Sequence, residues 1–176
     1  MSGQENARAT GQRSSQSKQN GNQDPRPPDV LELLDKVSAT LDAGHPQKAL
    51  EFLQRSKVRS PWVSNAMAVC LLRLGDTNRA IEMLKGLAVT SGVCFRTDVP
   101  AVFLTNFATA LLMAHNVSGS ISALANVRDE ENPAVQRLRG AIRKWKAGLS
   151  LWQKISWYWG DTPGDTVELG FPPGEI

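Results

Sequence analysis

With only two cysteines and two histidines in 176 residues, the chain has little material for metal or redox chemistry. Cys70 and Cys94 show no spacing that would hold zinc or frame a disulfide-bonded fold. Cys70 sits on an expected apolar helix face, as a small core residue would, and Cys94 in an expected loop. A phosphate-binding glycine loop and a His-Glu-x-x-His pair are also missing, and His45 and His115 each fall at an expected helix turn. Ser15-Gln16-Ser17-Lys18 has a serine–lysine spacing, but in a polar segment with no scaffold to fix its geometry. These absences argue against an enzyme, a metal site, a cofactor and a small-molecule substrate.

Long apolar runs are absent too. No stretch reaches the roughly 18 residues of a membrane span, and the polar beginning is unlike a secretory leader. A cytoplasmic location is the expectation, which makes the Asn116-Val117-Ser118 glycosylation match a chance one. Residues 1–28 hold no Leu, Ile, Val or aromatic side chain. Such a segment cannot bury enough surface to offset its ordering entropy, so a disordered polar tail is predicted over 1–28. The net charge of +3 decides nothing, but its distribution is uneven. Arg137, Arg139, Arg143, Lys144, Lys146 and Lys154 lie between Ala134 and Gly160 without an acid. Asp161, Asp165, Glu168 and Glu175 follow without a base, in a tail able to fold back and neutralise the basic patch.

What the chain does have is helical self-similarity. Asn65 to Leu84 reads as an apolar helical run, a Gly75-Asp76 turn and a second run opening on Ala80-Ile81. Leu41 to Leu53 repeats the second half around Gly44-His45-Pro46, and Asn106 to Leu124 repeats both halves more loosely. Asp29 and Glu32 have capping-box spacing, and Val30, Leu34, Val37 and Leu41 then line one helical face. Gly44 and Gly75 stop helices; Pro46 and Pro61 start them. Asp76 is a better N-cap than His45 at the corresponding place. A loop is predicted over Thr90–Val99, then helices near Pro100–Ala114 and Gly119–Val127. A longer helical region is predicted to start at Asn132-Pro133 and run toward Gly160, with Gly148 as its candidate break. Nothing calls for a strand, so the fold class is all-α. Repeating hairpins of this kind form solenoids, each burying its apolar face against its neighbours.

These residues resemble tetratricopeptide repeats, a family of helical hairpins about 34 residues long. Met67, Ala68, Leu71, Gly75, Ala80 and Leu84 match its large, small, large, turn-glycine, alanine and large positions. Gly44, Ala49, Leu53 and Pro61 match in the first copy. Phe107, Ala108, Leu111 and Leu124 match in the last, where His115 replaces the turn glycine and Ser120 the crossing alanine. The resemblance implies a short right-handed α-solenoid of three hairpins over residues 29–131. A Trp-rich basic capping region over 132–160 and an extended acidic tail over 161–176 complete it.

The resemblance also implies a non-enzymatic adaptor or scaffold binding a protein, peptide or helix in an open concave groove. Carried onto this chain, the groove consists of Trp62, Asn65, Val69, Leu72, Arg73, Val102, Asn106, Thr109 and Met113. Asparagine amides can pair with a ligand backbone, which singles out Asn65 and Asn106. The family's carboxylate clamp is not expected, because the matching positions hold Leu34, Ser38, Ala66, Val102 and Asn106, without a cation. An alternative surface is Arg143, Lys144, Trp145, Lys146, Trp152 and Lys154. There Trp145, Leu149, Trp152 and Trp159 form a helical stripe, which reads as a cap over the last apolar face. The same stripe with its cations would suit an anionic membrane surface or, less well, a nucleic acid. Self-association through an exposed end is a further option.

Overall fold

Proline decides where half of the described helices begin. In the computed structural model, which describes residues 26–91, 94–159 and 167–176, there are eight α-helices. They are α1 (Pro28–Asp42), α2 (Pro46–Arg55), α3 (Pro61–Arg73), α4 (Thr77–Ala88), α5 (Ala101–Met113), α6 (Val117–Ala125), α7 (Pro133–Gly148) and α8 (Leu151–Tyr158). Pro28, Pro46, Pro61 and Pro133 occupy first positions, where a missing amide costs no helical bond. Ser60 caps α3 by accepting from Trp62 N at 3.2 Å. The expected capping box at Asp29 does not form: α1 starts one residue earlier, on Pro28, and Glu32 pairs with Lys36 instead. That neighbouring ammonium holds the Glu32 carboxyl below its usual range.

The turns repeat one device. Gly44 and Gly75 end α1 and α3 at φ +77° and +81°, the left-handed region that glycine enters without a Cβ penalty. His115 takes the same place after α5 at φ +61°, a strained backbone for a residue with a side chain. The next residue then caps the following helix. Asp76 accepts from Arg79 N at 3.3 Å and Asn116 from Gly119 N at 2.8 Å, whereas His45 makes no side-chain cap.

Among the described residues the fold is all-α, apart from an isolated antiparallel bridge between Val89 and Phe95 across the Thr90–Val99 loop. Each of α1 to α6 packs on the next, and α1, α3, α5 and α7 also touch in series. This arrangement leaves α3 and α5 covered on several sides, which fits helices that are apolar almost all round. Ala68, Ala80 and Ala108 are fully buried, as small residues must be where helices approach closely. Cys70 is buried in the same core, and desolvation pushes its thiol up to about 12. α7 covers α5 and α6 with Ala134, Val135, Leu138 and Ile142. The expected tail over 1–28 lies almost wholly outside the described residues, as do 161–166.

Candidate functional site: a groove holding the C-terminal segment

The face made by α3, α5 and α7 carries a row of polar side chains, which on α3 and α5 interrupt otherwise apolar helices. Asn65, one turn into α3, is 0 % exposed, and Asn106 in the middle of α5 is 1 % exposed. Buried amides need partners, because an unpaired one keeps its full desolvation cost. Asn106 Nδ2 donates to Asn65 Oδ1 at 2.9 Å. Thr105 and Thr109 satisfy their hydroxyls within α5, on the carbonyls of Ala101 at 2.8 Å and Thr105 at 2.9 Å. The remaining asparagine capacity is met by the end of the chain.

Residues 167–176 run back across this face, so the groove expected to be open is filled. Glu175 N donates to Asn106 Oδ1 at 2.9 Å while Asn106 Nδ2 donates to Glu175 O at 2.7 Å. One side-chain amide thus grips both backbone groups of one residue, much as a neighbouring strand would. Asn65 Nδ2 adds a third, longer bond to Glu175 O at 3.3 Å. Arg73 spreads over the two preceding carbonyls, reaching Pro173 O and Gly174 O at 3.4 Å each. From α7, Arg137 donates to the Glu175 carboxylate and lies 5.9 Å from the Phe171 ring centroid. Gly174 is buried against Val69, and Leu169, Phe171 and Ile176 pack half-buried on the core. A cleft of about 330 Å³ remains between the tail and Thr105, Thr109, Ala134 and Arg137.

Among the sequence-derived groove residues, Asn65, Val69, Arg73 and Asn106 therefore meet at the tail, and Thr109 lines the adjoining cleft. The others have different work. Trp62 packs edge-on against Phe103 at 4.9 Å, with Arg26 5.2 Å from its ring centroid. Leu72 is buried in the core, Met113 packs on it half-buried, and Val102 is half-buried. Sequence reasoning placed Arg137 in the basic run and Glu175 in the acidic tail, but did not make either a groove residue. Phe171 and Ile176, large apolar residues flanking Pro-Pro-Gly at the end of a polar tail, were the available signal.

The alternative surface does not form one stripe. The helix breaks at Leu149 and Ser150, which separates Trp145 from Trp152. Trp145 packs half-buried on the core, Leu149 is buried, and Trp152 and Trp159 stand 79 % and 83 % exposed on or just after α8. Arg143 and Lys144 are exposed on α7, Lys146 borders a cleft between α6 and α7, and Lys154 is exposed on α8. Among the described residues no three His, Cys, Asp or Glu side chains gather to hold a metal ion, and no helix is long and apolar enough to cross a membrane. Comparison with family models, curated proteins and solved structures gave no match to the chain.

Proposed function

We propose that this chain is a non-enzymatic interaction module, a short solenoid of tetratricopeptide-like hairpins that binds an extended peptide on the face of α3, α5 and α7. The observation that carries this reading is the grip of Asn106 on both backbone groups of Glu175, backed by Asn65 and Arg73. Such contacts recognise an extended main chain whatever its side chains, and a groove spanned by so few helices fits micromolar affinity, about −8 kcal/mol. The tail is then a resident ligand, and a partner gains the site by taking its place.

The test uses the full chain with Gly174→Val, which loosens the tail. Panning a random decapeptide phage library on it should yield binders that are lost when Asn106→Leu and Arg73→Glu are added. Circular dichroism shows whether helicity survives those changes. Binders that persist undiminished on the altered, still helical groove would refute the assignment.

A second reading is favoured by one observation: Leu151, Trp152 and Ile155, spaced i, i+1 and i+4 on α8, are all exposed, as is Trp159 just after it. With Arg143, Lys144 and Lys154 nearby in sequence, this segment would suit an anionic lipid surface. Salt-sensitive sedimentation with phosphatidylserine vesicles, and none with phosphatidylcholine alone, is the expected result. Equal sedimentation with both lipids, or none with either, dismisses it.

A further inference from the structure

Backbone gripping alone would accept any extended peptide, yet the tail is also read at its side chains. Gly174 sits at φ +79°, where a side chain strains the backbone. A Cβ there would lie 2.9 Å from Val69 Cγ2 and 3.1 Å from Cγ1. Val69 cannot give way easily, being fully buried and β-branched on a helix, where one rotamer dominates. The position before the acid must therefore be glycine. Pro172 and Pro173 have no amide hydrogen to satisfy, and Pro173 offers only its carbonyl, which Arg73 takes. Arg137 then reads two side chains at once, ion-pairing with Glu175 and lying near the Phe171 ring. An arginine so placed discriminates against a neutral or basic residue at 175 through a lost charge-assisted bond.

We propose that the groove is selective for extended segments of the pattern aromatic-x-x-Gly-acidic, in which x includes proline, and that residues 171–175 are the copy a partner carrying this pattern displaces. The proposal rests on the peptide-binding reading above and adds its sequence rule. The acid and the glycine act as separate filters: one is set by charge on α7, the other by shape on α3.

The experiment measures fluorescence polarisation of a labelled decapeptide with the sequence of residues 167–176. It is titrated with the full chain and with the full chain carrying Gly174→Val and Glu175→Arg in its own tail. The tail-altered chain should bind, and the unaltered chain should bind about tenfold or more weakly, because its own tail competes. Replacing the peptide's glycine by valine, or its glutamate by arginine, should each weaken binding about tenfold or more. Adding Arg137→Glu to the tail-altered chain should restore binding of the arginine peptide, which a merely structural role for Arg137 would not do. If the doubly altered chain loses helicity, Glu175→Arg alone replaces it in every arm except the one with Arg137→Glu, where Gly174→Val alone is used so that the chain's own tail cannot re-pair. Equal binding of all three peptides overturns the sequence rule and leaves the groove reading standing. No binding of any peptide to the tail-altered, still helical chain overturns both.

Discussion

Residues 151–159 and residues 167–176 are close in sequence and receive opposite treatment from the fold. The first segment is rich in tryptophan, yet Leu151, Trp152, Ile155 and Trp159 remain exposed. The second carries acids, prolines and glycines, yet Val167 and Gly174 are buried and its backbone is bonded to α3 and α5. Apolar area drives burial only where a matching surface exists, and α7 has already covered the end of the helical stack. The tail meets a surface with matching needs, because buried asparagines require partners and its backbone supplies them. Complementarity, rather than hydrophobicity, decides which of the two segments is packed.

The strongest way to break this comparison is to spoil the match at one atom. Gly170 and Gly174 both have positive φ, at +66° and +79°, but only Gly174 has a neighbour where a Cβ would go. Gly170→Ala should cost the backbone strain alone, about 1–2 kcal/mol. Gly174→Ala should add about 1–3 kcal/mol of overpacking, up to the free energy that docks the tail. Beyond that limit the tail lets go. Denaturant unfolding gives the two costs, and amide exchange over 167–176 reports release. Val69→Ala in the Gly174→Ala chain should return protection to the tail. Equal costs for the two glycines, with the tail still protected in both, would remove Val69 as the reader of this position.

Much of the helical layout was legible because turn chemistry is local. Gly44 and Gly75 mark stops that only a left-handed residue can make, and Asp76 was identifiable as a cap from its position after one of them. The resemblance put His115 at the turn-glycine position, and both turns take the same left-handed path, but Asn116 was not identified as the cap that follows. Two local details were misread. A pair of prolines outcompeted Asp29 for the start of α1, and the tryptophan stripe was drawn across a helix break at Leu149. Asn65, Arg73 and Asn106 came from the family resemblance, since nothing periodic marks a buried amide as a contact. That the acidic tail could fold back was readable from its charge, but that its backbone would meet these asparagines was not. Pairing between residue 106 and residue 175 depends on tertiary proximity, for which neither hydrophobic period nor cap chemistry carries a signal.

A smaller effect sharpens the comparison from the opposite direction. Ser120 stands where the family resemblance would put alanine; it is fully buried, and its Oγ has no hydrogen-bond partner among the described residues. Unlike Asn106, it obtains nothing in return for leaving water. Ser120→Ala should therefore stabilise the chain by about 1 kcal/mol, the low end of the cost of an unpaired buried group. The gain would appear as a raised denaturant midpoint with an unchanged slope. A loss of stability instead would mean that the hydroxyl is satisfied in solution.

The smallest change is expected where the largest side chains are removed. Trp152 and Trp159 are 79 % and 83 % exposed, so Trp152→Ser with Trp159→Ser takes away little that folding had buried. Stability should move by no more than about 0.5 kcal/mol, as for surface substitutions generally. Leu138→Ala, at a fully buried position on α7, should by contrast cost about 2–5 kcal/mol. If the double tryptophan change is silent in unfolding but abolishes sedimentation with anionic vesicles, α8 is a contact surface held outside the core. A loss of stability comparable with that of Leu138→Ala would instead mean that the tryptophans cover part of the stack in solution, and the contrast between α8 and the tail would fail.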